Sequence, residues 1–184
     1  MKINIKCDLG WLLNEGRIIA VDPGTATGWA LLDCKRELVR RHGLIKDIRK
    51  QGALVQIAAA IADADLLVVE DQYLAKGKRG GKRQENPQTL ITLAAIRGGL
   101  EMLWAREKGF AYGENRVVVK PTEWQAGLRL PATANRERRK AGARTQAEFL
   151  TQVTELSQDE ADAVCMGLAI IRRLKKDHML EVAG

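Results

Sequence analysis

Ile18-Ile19-Ala20-Val21-Asp22-Pro23-Gly24-Thr25-Ala26-Thr27-Gly28-Trp29-Ala30 is the stretch on which the reading of this chain turns. An apolar run suited to a buried strand ends on an acid, and a Pro-Gly turn sends the chain back. A buried strand does not end on a carboxylate by preference, because that charge is costly away from water unless something neutralises it. The same pattern recurs at Leu66-Leu67-Val68-Val69-Glu70. A third acidic pair, Asp159 and Asp162, stands at i and i+3 and so shares one helix face. Small or apolar neighbours, Ala161, Ala163, Val164 and Gly167, predict that this face packs on the sheet and holds both aspartates over the strand ends.

Working outward, residues 18–22 and 28–33 read as strands joined so tightly that they are antiparallel neighbours. Residues 40–45 supply a third strand. Residues 47–63 carry helical periodicity through Leu54, Ile57, Ala58 and Ile61. Strand Leu66–Glu70 then returns parallel to a neighbour, as a strand–helix–strand crossover requires. A helix starts near Pro87 and runs toward Lys108, with Gly98-Gly99 inside it. Residues 116–120 form a short strand, 121–134 a loop with at most one helical turn, and 136–156 a helix. Ser157, with Glu160 three residues on, is a capping box opening a last helix to about Lys176. The order β-β-β-α-β-α-β-α-α predicts an α/β fold. Its mixed five-stranded sheet has the first three strands antiparallel and is flanked by helices.

A chain of 184 residues suits one domain. Such a domain buries roughly 70% of its unfolded surface and needs no covalent staples. We read residues 1–16 as an N-terminal extension and 17–184 as the single domain. Apolar content of 46% and charged content of 29% are those of a soluble globular protein. Three widely spaced cysteines, with no Cys-x-x-Cys pair, argue against a disulfide framework or a thiolate zinc site and fit a reducing compartment. Two histidines rule out a histidine-rich metal site. No apolar run of about 18 residues is present to span a membrane. Residues 1–16 contain Asp8, Asn14 and Glu15 and lack the apolar core of a signal peptide.

Each acid taken alone has an ordinary reading: a turn acid, a strand-end residue, a cap and a surface charge. Taken together, Asp22, Glu70, Asp159 and Asp162 form an all-oxygen donor set suited to Mg²⁺, with Mn²⁺ able to substitute. Two such ions about 4 Å apart can activate a water and stabilise the departing oxygen of an in-line phosphoryl displacement. The implied reaction is phosphodiester hydrolysis by two ions per active site.

The net charge of +7 favours a polyanionic partner, most simply nucleic acid, with a solubilising surface charge as the alternative. Lys76, Lys78, Arg79, Lys82 and Arg83 lie in a glycine-rich loop after the Glu70 strand and are expected to bind phosphates in a salt-dependent way. Within the cluster Arg136, Arg138, Arg139, Lys140 and Arg144, part must simply be solvated; Arg138, Arg139 and Lys140 are the candidate contacts. Lys120 closes a strand near the same edge. Tyr73 can stack on unpaired bases or pack ordinarily. Trp104 and Trp124 read as core or interface residues, and Glu114, Glu123 and Glu155 as surface charges.

At these residues the chain resembles the RuvC family of Holliday-junction resolvases, within the RNase H-like or integrase superfamily. The resemblance rests on Asp22-Pro23-Gly24-Thr25 with Thr27-Gly28, on Glu70, and on Asp159-Glu160-Ala161-Asp162-Ala163 in register. Tyr73 matches an aromatic that the family uses at the junction, Arg97-Gly98 an Arg-Gly pair in its long dimer helix, and Lys120 a basic position. The resemblance implies a homodimeric crossover junction endodeoxyribonuclease of DNA recombination and repair. Such an enzyme nicks two strands of a four-way DNA junction symmetrically and leaves 5′-phosphate ends. A two-fold dimer matches a two-fold junction. The early start of the chain and its basic loop resemble a compact bacteriophage or mobile-element relative, in the cytoplasm of a bacterial or phage-infected cell. Open alternatives are a nuclease of the same fold acting on branched DNA more broadly or on RNA, a catalytically silent DNA-structure-binding module, and, more remotely, an actin-like ATPase or sugar kinase. The last needs a duplicated domain and a second phosphate loop, for which this chain is too short.

Overall fold

The computed structural model describes residues 1–50, 52–71, 87–128 and 136–183. Strands β1 (Lys2–Asn4), β2 (Arg17–Asp22), β3 (Thr27–Asp33), β4 (Leu38–Ile45), β5 (Leu66–Glu70) and β6 (Arg116–Val119) form one sheet in the order β1-β6-β5-β2-β3-β4. β2, β3 and β4 pair antiparallel in succession, and β2, β5 and β6 run parallel. Helices are α1 (Leu9–Glu15), α2 (Val55–Ala62), α3 (Pro87–Lys108), α4 (Pro121–Gly127), α5 (Arg136–Thr151) and α6 (Gln158–Ala183).

Both faces of the sheet are covered, which explains why β2 and β5 are apolar at every position of Ile18–Val21 and Leu66–Val69 rather than at alternate ones. Ile18, Ala20, Leu66 and Val68 pack into a core shared with α1, α4, α5 and α6. Ile19, Val21 and Leu67 pack into a second core with α2 and α3. The period-two alternation then carries one step further: Asp22 has the parity of Ile18 and Ala20, and Glu70 that of Leu66 and Val68. Both acids therefore belong to the α6 side of the sheet.

The α/β fold with a mixed sheet and three leading antiparallel strands stands, but the sheet has six strands rather than five. The additional strand comes from the residues read as an extension: Lys2 pairs with Val118, Ile3 with Val117 and Asn4 with Arg116. β1 covers the edge of the four-residue strand β6, which would otherwise leave its backbone groups unpaired. Helix α2 is shorter than its periodicity suggested. Gly52 has φ of +77°, and residues before it form turns, not helix. The segment after β6 holds a two-turn helix, not a loop. Pro121 sits in its first turn, and Glu123, expected to be a plain surface charge, accepts the Lys120 N–H at 2.9 Å. Helix α5 stops at Thr151, where Gln152 takes φ of +57°, and α6 continues to Ala183.

Candidate active site

The turn after β2 is closed by Thr27, which is fully buried. Its hydroxyl donates to the Gly24 carbonyl at 2.7 Å and accepts the Gly24 N–H at 3.3 Å. This clip fixes the chain direction immediately after Asp22. Beside it, the register of β2 on β5 pairs Val21 with Val69, so Asp22 and Glu70 end adjacent parallel strands.

Helix α6 is brought to the same rim by Gly28. The first turn of α6 lies so close to β3 that a Cβ on Gly28 would stand 2.0 Å from the Asp159 carbonyl oxygen. The expected capping box forms: the Ser157 hydroxyl lies 2.7 Å from Glu160 Oε2 and accepts the Glu160 N–H at 3.2 Å. Glu160 Oε1 also lies 3.0 Å from His42 Nδ1 on β4, which ties the helix start to the sheet.

Asp22 is thereby brought within electrostatic reach of Glu70, Asp159 and Asp162. Burial pushes the Asp22 carboxyl well above the usual range, and the charges of Glu70, Asp162 and Asp159 and its hydrogen bond with Glu70 add to the effect. Burial also raises Glu70; the Trp124 hydrogen bond opposes this, the Asp162 charge reinforces it, and Asp22 and Lys140 oppose it. Asp159 is raised by burial, with Lys140 opposing. Gln158 Nε2 donates to Asp162 Oδ1 at 2.7 Å. Among the described residues, no three His, Cys, Asp or Glu side chains close on a single point. What unites the site is the buried Asp22 carboxyl, which feels the charges of the other three acids. That is the condition a hard cation relieves, and the donors are all oxygen.

Trp124 and Lys140 complete the site in ways local sequence did not announce. Trp124 is 3% exposed, as a core residue should be, and its Nε1–H donates to Glu70 Oε1 at 2.8 Å. Lys140, expected to face DNA, extends its charge to both Glu70 and Asp159. Gln158 did have a sequence signal, since it stands four residues before Asp162 on one helix face.

Of the other candidates, Lys120 stands exposed just past the end of β6, at the rim of the acids, and Arg138 is exposed on α5. Arg139 belongs to α5, but its side chain lies outside the described residues. Tyr73, Lys76, Lys78, Arg79, Lys82 and Arg83 also lie outside them. No helix among the described residues is long and apolar enough to cross a membrane.

No protein-family model matches this chain, and neither does any curated protein. Among solved structures, the fold is similar to that of RuvC from Thermus thermophilus in complex with a Holliday junction substrate, with a TM-score of 0.61 and 13% identity. That match covers 88% of this chain and 97% of the other. The Thermus thermophilus RuvC structure also matches, with a TM-score of 0.55 and 14% identity over 87% of this chain and 96% of the other. The chain therefore has the fold seen in the RuvC structures, which is RNase H-like.

Proposed function

We propose that this chain is a metal-dependent, structure-selective DNA endonuclease that resolves four-way junctions by paired symmetric nicks. The observation that carries this reading is the buried Asp22 carboxyl, surrounded by Glu70, Asp159 and Asp162 at one rim of a RuvC-like fold. Those four residues would hold two Mg²⁺ ions, or Mn²⁺ in their place. When bound, the ions supply an activated water and stabilise the leaving oxygen of a phosphodiester. The chain's own groups then have definite tasks. Trp124 orients the Glu70 carboxylate through its indole N–H, and Gln158 orients Asp162. Lys140 offsets part of the excess negative charge at Glu70 and Asp159. In this reading Lys120, Arg138, Arg139 and the basic loop take backbone phosphates, and Tyr73 stacks on unpaired bases.

Two nicks need two sites, and the reading includes a homodimer formed through α3. Ile91 and Met102 on that helix are 62% and 59% exposed. Gly98 and Gly99 leave its surface open, and the nearby hollow of about 410 Å³ is lined by Ile48, Leu54, Ile91, Ala95, Ile96 and Gly99 among others.

The test is cleavage of a synthetic four-way junction, a linear duplex of the same sequence and an RNA–DNA hybrid, each with Mg²⁺ and with EDTA. Paired nicks on opposing strands of the junction, lost in EDTA, are expected. Hybrid cleavage without junction cleavage would replace this reading with an RNA-processing one. No cleavage of any substrate would reduce the protein to a binding module.

Trp124→Phe offers a second test at the same site. It removes the donor to Glu70 and keeps most of the apolar volume. A hydrogen bond to a charged group is worth about 1.5–3 kcal/mol, so the Mg²⁺ concentration for half-maximal cleavage should rise on the order of tenfold. An unchanged Mg²⁺ requirement in a folded variant removes Trp124 from the site.

A further inference from the structure

The short segment after β4 sits at the acid-bearing rim and was not singled out by its sequence. Strand directions place it there. β2, β4, β5 and β6 all point their carboxyl ends the same way, and the register sets Asp22 opposite Gly28 and Gly28 opposite Leu44. Lys46 therefore follows the end of β4 just as Lys120 follows the end of β6. In the sheet order, β6 is next to β5, and β4 is two strands from β2. At a strand spacing of about 4.8 Å, cations stand about 5 Å outside the acids on one side and about 10 Å on the other.

The segment is held in place rather than left to wave. Ile48 is buried in the α2/α3 core, and its N–H donates to the Thr25 carbonyl at 3.0 Å, within the turn that follows Asp22. The Lys50 N–H donates to the Asp47 carbonyl at 3.2 Å, and the Lys50 carbonyl accepts the Ala53 N–H at 3.1 Å. Asp47 is engaged by Arg49, whose Nε and Nη2 lie 2.8 and 3.0 Å from its two oxygens. Lys46 and Lys50 are exposed; Lys50 adds its charge to that of Arg49 at Asp47, and among the described residues neither lysine lies within 4 Å of a carboxylate in a salt bridge. They flank a hollow of about 440 Å³ lined also by Asp47, Gly52, Ala53 and Gln56. With Asp47 matched by Arg49, the two lysines set the net charge of this surface.

We propose that Lys46 and Lys50 form a phosphate-binding rim for a duplex arm of the DNA, on the side of the acids away from Lys120. The inference rests on the endonuclease reading and adds to it a second wall of the DNA channel. A wall of this kind binds backbone phosphates by charge and carries no base preference.

The test is equilibrium binding of a synthetic four-way junction across a salt series, in EDTA so that the substrate stays intact. Each phosphate contact contributes about 0.9 to the slope of log K against log salt. The double variant Lys46→Gln/Lys50→Gln should lower that slope by about 2. Lys35→Gln/Lys176→Gln removes the same charge from exposed positions just after β3, at the opposite end of the sheet, and late in α6, and should leave the slope at the wild-type value. Lys176 lies about 27 Å along α6 from its start. An unchanged slope in the Lys46/Lys50 variant, or equal losses in both variants, overturns the inference and leaves the endonuclease reading standing. Wild-type protein that does not bind the junction overturns both.

Discussion

Asp22→Asn is expected to abolish junction cleavage, by on the order of 10³-fold or more, while the protein still binds the junction and melts at a higher temperature than wild type. The loss is on the scale felt when an electrostatic group is removed from a reacting centre. The gain follows from the direction in which the acids are shifted. Asp22, Glu70 and Asp159 are all raised, so the folded state holds protons that the unfolded state releases. Stability from such groups is fully present below the unfolded carboxyl range, near pH 4, and is lost as pH rises through the folded values. At neutral pH the metal-free wild type therefore bears the buried acid cluster as a cost. An asparagine amide can donate to Glu70 as the protonated Asp22 does, and it cannot ionise. Each kcal/mol recovered raises the melting temperature by roughly 2–4 °C in a chain of this size. Melting curves in EDTA at pH 5 and pH 8 check this: the advantage of the variant should widen with pH, and Mg²⁺ should stabilise wild type more than the variant. A variant that cleaves normally, or that is destabilised equally at both pH values, would rule out the proposed site.

Much of this arrangement is legible in the sequence, and the reasons are local. β2 and β5 are apolar throughout Ile18–Val21 and Leu66–Val69 because both sheet faces are covered, and each ends on an acid that the alternation sends to the α6 side. The start of α6 is written in its capping box, and the return of β3 in the tight turn clipped by Thr27. What the sequence hides is what depends on distant packing. β1 is three exposed residues paired along the edge of β6. α4 has readable start signals in Pro121 and Glu123, but seven residues with one buried tryptophan show no apolar period. Trp124 meets Glu70 only because α4 packs on α6 beside β5, and Lys140 reaches the acids only because α5 packs on α6. Lys46 reads as one more surface cation until the strand directions bring the end of β4 to the rim.

Gly28→Ala is expected to cost both stability and cleavage, through contact rather than through backbone conformation. The new Cβ would stand 2.0 Å from the Asp159 carbonyl oxygen, 2.1 Å from its carbon and 2.5 Å from the Glu160 nitrogen. All three are backbone atoms, so no rotamer change relieves the overlap. The case differs from Gly167, where an added Cβ would first meet a movable Leu32 methyl at 2.6 Å. To restore an ordinary separation of 3.4 Å, the first turn of α6 must lift from β3 by about 1.4 Å. The lift carries Asp159 with it and strains the Ser157–Glu160 box and the Glu160–His42 contact. Overpacking of this kind costs typically 1–3 kcal/mol, which lowers the melting temperature by several degrees. A displacement of about 1 Å at a reacting centre costs on the order of 10²-fold in rate. The variant should therefore keep its circular dichroism spectrum, melt lower in both EDTA and Mg²⁺, and cleave far more slowly at saturating Mg²⁺. A Gly28→Ala protein with wild-type melting and wild-type cleavage would mean that α6 does not depend on this close approach to hold its acids over the strand ends.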